Sequence, residues 1–323
     1  MDDTIRITML GASKSGKTCY MLGMYAVMRE GVEGFTFTTR DEDPDRDMDL
    51  DLSERWEQIV RETGDKRWPA PNDNKTEEYA FDFTYGLSRM IGFDWIDYRG
   101  GALKDTPTAA DVQELKRHLN ASSAVLLCVS GEHLVPGGSR PVSMEADTPR
   151  MLKFLKEALQ SQSEPPAIGI VITKFDLCRE IEEEALLDRV RDLFSPLFVP
   201  DQGWLVMVCP VSLGNALAED LESGVIEPRN VHLPVAFAVY SAFRRGQSEV
   251  EQWISSKEEE IESLRGGWLR TWWNRGRLDS GNRERETLLK QREAIEKKLR
   301  LLTDDLVRGA RFYYDGERVE LDG

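Results

Sequence analysis

Residues 11–18, Gly-Ala-Ser-Lys-Ser-Gly-Lys-Thr, hold two glycines, a lysine and a threonine in the spacing G-x-x-x-x-G-K-[ST]. They follow a short β-branched run and open a helical stretch, the setting in which this pattern cradles phosphate. The glycines let the backbone curl so that its N–H groups face phosphate oxygens, and the helix N-terminus adds partial positive charge. Lys17 is placed to reach the β- and γ-phosphates of a nucleotide, and the Thr18 hydroxyl to ligate Mg²⁺. Gly11, Ala12, Ser13, Lys14, Ser15, Gly16, Lys17, Thr18 and Cys19 form the expected phosphate-contacting set. A chance glycine turn is the bland alternative, and the strand–loop–helix setting argues against it.

This loop alone does not choose the base. Residues 168–176, Ile-Gly-Ile-Val-Ile-Thr-Lys-Phe-Asp, read as a buried strand ending in T-K-x-D. The Asp176 carboxylate can accept both the N1–H and the 2-amino group of guanine, a donor pair that adenine lacks. Lys174 can lay its stem over the purine face. Residues 208–213, Val-Cys-Pro-Val-Ser-Leu, form another strand end, where Ser212 and Leu213 suit a loop touching the guanine carbonyl. Either segment alone reads as a solvated turn. In this order and spacing they point to GTP and GDP, with Mg²⁺.

Residues of about 4–245 resemble the Ras-like P-loop GTPase superfamily. The likeness rests on GASKSGKT, on Asp97-Tyr98-Arg99-Gly100, on TKFD and on the Pro-Val-Ser strand end. It implies that Asp97 holds Mg²⁺ through water and that the Gly100 N–H binds the γ-phosphate. Thr76 lies 21 residues before Asp97, directly ahead of a strand, about the distance a two-strand hairpin needs. It is therefore the expected Mg²⁺- and γ-phosphate-sensing threonine, with Thr39 the alternative. Trp68-Pro69 upstream of Thr76, together with Asp97-Tyr-Arg-Gly-Gly and a long last helix, looks like the double-GTPase family of bacterial conflict systems. That likeness implies a cytoplasmic bacterial GTPase paired with a second GTPase or an effector, in defence or stress signalling. One departure matters: Gly101 stands where such enzymes commonly place a water-positioning Gln. Slow hydrolysis is then expected, unless Arg99, Lys14 or a partner's residue helps. Lys14 occupies the loop position where some GTPases hold a stimulatory potassium ion, and its ammonium could stand in for it.

The elements that must position these residues alternate. Candidate strands cover residues 4–10, 77–84, 91–97, 124–129, 168–173 and 205–211, and candidate helices 17–29, 51–62, 109–119, 148–160, 181–194 and 235–244. Such alternation predicts a three-layer α/β domain with a mixed, mostly parallel sheet, residues 77–84 and 91–97 pairing as a hairpin. The expected division is a Ras-like domain over 1–246 with an insertion at about 32–75, an antiparallel helical hairpin over 247–308, and a short β-hairpin tail over 309–323 turning at Asp315-Gly316.

Net charge is −16, which repels phosphate backbones and argues against general nucleic-acid binding. No apolar run is long enough to span a membrane, and the acidic N-terminus does not fit a secretory signal. The four cysteines, Cys19, Cys128, Cys178 and Cys209, form no C-x-x-C pair and suit a reducing cytoplasm. Acids at 43, 45, 47, 49, 51 and 54 nearly fit a calcium loop, but Met48 stands where the sharp turn wants Gly, so a solvated helix N-terminus explains them better. Trp56, Ile59 and Val60 read as a core face. In the hairpin tip Trp268, Trp272 and Trp273 interleave with Arg265, Arg270, Arg275 and Arg277. The readings are a protein partner or self-association through 247–308, internal packing of the tryptophans, an anionic membrane, or base stacking on a nucleic acid. The expected function is a slow, partner-coupled GTP switch. The alternatives are a catalytically weak assembly module and a membrane-associated GTPase acting through the tip.

Overall fold

The chain begins with β1 (Thr4–Gly11), whose side chains are buried along most of its length. The computed structural model describes residues 4–40, 47–69, 76–98, 110–136, 142–159, 165–264 and 275–321. β1 pairs in parallel with β4 (Ser88–Asp97) on one side and β5 (Ala124–Ser130) on the other. β6 (Ala167–Thr173) and β7 (Leu205–Pro210) continue the parallel run. Antiparallel strands finish both edges: β2 (Phe35–Thr39) and β3 (Glu77–Tyr85) beyond β4, β8 (Arg311–Tyr314) and β9 (Glu317–Val319) beyond β7. The result is a nine-stranded mixed sheet in the order β2-β3-β4-β1-β5-β6-β7-β8-β9. The expected hairpin forms, with Glu77 opposite Asp97. The tail turns at Asp315-Gly316, both at positive φ, and joins the same sheet.

Helices cover both faces. α1 (Lys17–Glu30), α2 (Met48–Arg61), α7 (Leu233–Leu264) and α8 (Arg275–Gly309) share one core with the sheet. α3 (Ala110–Asn120), α5 (Thr148–Leu159) and α6 (Glu183–Leu193) share the other, and the single turn α4 (Val142–Glu145) precedes α5. β5 and β6 are buried on both faces, which is why they read as unbroken apolar runs.

Within the expected insertion the structure adds β2, where Phe35 and Phe37 point to the core between threonines, and places the expected helix as α2, which starts three residues earlier with N-cap Asp47 accepting from the Leu50 N–H at 2.9 Å. Asp43 and Asp45 lie outside the described residues. Ile59 is fully buried and Trp56 packs on the core, but Val60 is 47% exposed, so it is not part of the expected core face.

The expected helix at 235–244 and first arm of the hairpin are one helix, α7, which runs unbroken through residues 246 and 247. Residues 235–240 are buried all round, between the sheet and α8; farther on, Val250, Ile254 and Ile261 keep a single buried stripe. The composition shift marks where α7 leaves the sheet, not where it starts. α8 returns along it with Ile295, Leu299, Leu302 and Leu306 buried, and His232–Asp305 at 2.7 Å ties the two helices at their base. The tryptophans and arginines of the tip from 265 to 274 lie outside the described residues. Among the described residues no helix is long and apolar enough to cross a membrane.

Candidate functional site

Parallel strands end together, so the C-terminal ends of β1, β4, β6 and β7 lie along one edge of the sheet. After β1 the chain curls through Lys14 and Gly16 at φ 65° and 83° before α1 begins at Lys17. A Cβ at Gly11 would sit 2.7 Å from Ser15 Oγ and 2.8 Å from the Cys128 carbonyl, so only glycine lets the loop pass β5 so closely. Lys17 folds back over this loop and donates to the Gly11 and Ala12 carbonyls at 2.8 and 2.9 Å. Its ammonium is buried, and desolvation lowers its pKa against the pull of Asp97.

Asp97 closes β4 beside this loop. Thr18 donates to its Oδ2 at 3.1 Å, while Oδ1 is buried with no hydrogen-bond partner among the described residues. Burial pushes the carboxyl up to about 6, against Lys17 and the Thr18 hydrogen bond, which pull it down. A hydroxyl beside a carboxylate with one idle oxygen is the donor set a hard cation such as Mg²⁺ takes. Cys19, by contrast, is held as a thiol, its pKa pushed up to about 11 mainly by burial.

At the other end, the Thr173 hydroxyl donates to the Ser15 carbonyl and ties β6 to the phosphate loop. Lys174 takes the left-handed conformation at φ 49° and lays its stem beside Gly16. Its ammonium meets Glu132 at 3.3 Å. Asp176 follows in a short 3₁₀ turn, 6% exposed. Ser212 donates to Asp176 Oδ1 at 3.0 Å and accepts from the Gly214 N–H at 3.0 Å, which orients the carboxylate. Burial raises the Asp176 pKa, with the Ser212 hydrogen bond opposing.

One cavity of about 900 Å³ runs between the two ends. Its walls include residues 13–19, Asp97, Lys174, Asp176, Ser212 and Leu213; Gly11 and Ala12 lie behind, holding Lys17. Lys14 faces it and is exposed. Thr76 is not in its lining; it sits half-buried at the start of β3, next to Glu77, the strand partner of Asp97. Thr39 pairs with Phe81, four residues along β3 from Glu77, or about 14 Å of strand. Arg99 and Gly100 lie outside the described residues.

Other walls were not expected from the sequence. Asp65, Trp68 and Pro69 from the insertion and Leu217, Glu219 and Leu221 after β7 close the end nearer Asp176. Arg55 on α2 donates to Glu77 at 3.3 Å and to the Tyr79 hydroxyl at 2.8 Å, fastening the insertion to the start of β3. Trp-Pro was the only local signal for this wall; the rest is built by residues distant in sequence. A separate cluster, Glu78, Glu114 and His118, is already served by the Arg117 guanidinium, 2.9 Å from His118 Nε2 and 3.4 Å from Glu114.

The family model described as Double-GTPase 2 matches residues 5–199. No curated protein matches the chain. The matched span takes in the phosphate loop, the insertion, Asp97 and the T-K-x-D segment.

Proposed function

The chain belongs to the Double-GTPase 2 family, a group of P-loop GTPases, and from that premise we propose that it is a Mg²⁺-dependent GTP switch. Guanine would lie at Asp176 and Ser212, and the triphosphate along residues 11–18. What carries this reading is the single cavity that joins the phosphate cradle to a buried, pre-oriented carboxylate. Such preorganisation lowers the cost of ordering the site when the ligand arrives.

Each residue has a role that its present partners suggest. Lys17 exchanges the Gly11 and Ala12 carbonyls for β- and γ-phosphate oxygens. Phosphate charge also compensates the burial of its ammonium. Thr18 and Asp97 hold the metal, Asp97 through water, and Thr76 reports the γ-phosphate from the start of β3. Bound Mg²⁺ would neutralise charge on the phosphates as the terminal bond breaks. Asp176 accepts from the guanine N1–H and 2-amino group, the Lys174 stem covers the purine face, and Ser212 and Leu213 frame the guanine carbonyl.

Gly101 offers no side chain to orient water, so hydrolysis is slow unless Lys14, Arg99 or a partner's residue supplies charge. The α7–α8 pair would pass the nucleotide state to a protein partner, a second GTPase or a second copy, in a bacterial defence system. Gly101 also favours a second reading, an assembly module in which GTP stabilises a surface with negligible turnover.

Binding of GTP, GDP and ATP by the purified chain, with xanthosine diphosphate added, tests the base. Asp176→Asn should weaken GDP by roughly a hundredfold, since it loses charge-assisted hydrogen bonds in a buried site. It should strengthen xanthosine diphosphate, whose ring carries a carbonyl where guanine carries the amino group. Equal binding of GTP and ATP by the unmodified chain would sink the guanine reading. Single-turnover hydrolysis then separates the switch from the assembly module.

A further inference from the structure

The base end of the cavity is closed by two segments far apart in sequence, and one buried arginine joins them. Arg67 is 3% exposed and has no ion-pair partner among the described residues. Its Nε donates to the Ile59 carbonyl at 2.9 Å, in the last turn of α2. Its terminal nitrogens donate across the cavity wall to the Glu222 carbonyl at 3.3 Å and the Gly224 carbonyl at 2.7 Å. Gly64 adds a backbone bond to Glu222 at 3.2 Å.

The acceptors are themselves held. Asp220 takes the N–H groups of Glu222 and Ser223 at 3.0 and 2.9 Å, so the turn presents its carbonyls in a fixed array. The loop that carries this turn starts at Ser212 and Leu213, the residues assigned to guanine, and Glu227 closes it by donating to the Leu213 carbonyl at 2.7 Å. Both sides of the clasp face the cavity: Asp65 and Trp68 flank Arg67, and Leu217 and Leu221 precede the turn. The Arg67 guanidinium lies 5.5 Å from the Trp68 ring centre, and Trp68 backs onto the core. Leu221 is 59% exposed, an apolar face that a purine would cover.

A buried guanidinium costs little only while its donors are satisfied. Opening the clasp would strand the charge together with the Glu222 and Gly224 carbonyls, so the wall closes or opens as a unit.

We propose that Arg67 is a positioning residue that makes nucleobase binding and the docking of residues 59–69 against residues 214–224 one equilibrium. This rests on the guanine reading above. The insertion then belongs to the nucleobase site rather than standing beside it.

Hydrogen exchange on the full, unmodified chain tests this, with no ligand, with GDP and Mg²⁺, and with inorganic tripolyphosphate. GDP should protect peptides from 59–68 and from 214–224 together. Tripolyphosphate should protect the phosphate loop and neither wall segment. Arg67→Ala should weaken GDP by about tenfold or more while leaving tripolyphosphate affinity within about twofold. A purely structural role would weaken both ligands alike. Arg67→Lys, with one ammonium for three diverging acceptors, should fall between. Protection of 214–224 without 59–68, or equal losses for both ligands, overturns the coupling. Failure of the unmodified chain to bind GDP overturns the guanine reading, and this proposal with it.

Discussion

Replacing Asp97 by Asn should stabilise the ligand-free protein and abolish its response to Mg²⁺ and nucleotide. Burial raises the carboxyl from 3.8 to about 6, so the folded state holds a proton that the unfolded state releases. This group therefore favours folding below its unfolded value, and that contribution is lost as pH rises through about 6. Two pKa units correspond to about 3 kcal/mol, the cost of burying the ionised carboxylate near pH 7.5. Asn keeps the shape and an acceptor for Thr18 but removes the charge. Lys17 loses its counter-charge, so the net gain should lie between about 1 and 3 kcal/mol. For a chain of this size that is roughly 1.5–4.5 °C in Tm. Thermal and urea unfolding with a chelator present should show the gain near pH 7.5 and about a third of it near pH 4.5. With Mg²⁺ and GDP added, wild type should gain stability by mass action and the variant should not. A variant less stable than wild type near pH 7.5 in chelator would refute the reasoning, because the carboxylate would then be an asset to the empty fold.

The same geometry yields three further expected outcomes. Thr76→Ala should reduce the preference for a non-hydrolysable GTP analogue over GDP by about tenfold, whereas Thr39→Ala, set back along the strand, should leave it unchanged; the reverse pattern would move the γ-phosphate sensor to Thr39. Lys14→Ala should slow single-turnover hydrolysis by about tenfold with GTP affinity within about twofold, and unchanged turnover would remove Lys14 from the chemistry. Leu306→Ala, at a fully buried site where α8 meets α7, should cost about 2–4 kcal/mol in urea unfolding. A loss below about 1 kcal/mol would put the base of the helical pair outside the core.

The expected site was most legible where one short segment suffices. A phosphate cradle needs only the backbone of a single loop, so residues 11–18 point to one without help from the rest of the chain. Asp176 and Ser212 belong to different strands, yet each closes a strand of fixed direction in a parallel sheet, so order along the chain translates into adjacency. The same logic favoured Thr76 over Thr39: hairpin pairing returns the start of β3 to Asp97, whatever the insertion before it contains. β2 was half-visible, as an alternation of Phe35, Thr36, Phe37 and Thr38, but five residues at a sheet edge are short for that signal to decide. α7 was misdivided because polarity was read as a boundary. A helix that leaves a sheet changes its exposed faces without changing its hydrogen bonds, so composition shifts where the backbone does not.

The cavity wall joined by Arg67 shows why the remainder stayed hidden. Arg67 bonds to residues 155 and 157 positions away, and every acceptor is a backbone carbonyl. A carbonyl carries no side-chain identity, so no pattern at Glu222 or Gly224 marks them as partners. Arg67 itself lies in a charged stretch, Gly-Asp-Lys-Arg-Trp, that reads as solvated loop. Only the fold shows that its charge is buried and that its hydrogen-bond acceptors are neutral carbonyls. A buried guanidinium bound to carbonyls alone is a costly way to hold two loops together, compared with an apolar contact of the same size. What it adds is direction. With Nε held at Ile59, two further donors at fixed angles accept one relative placement of the two segments, whereas an apolar contact tolerates sliding. On the proposed reading, a site that reads a planar base between those segments needs the placement more than it needs the last increment of stability.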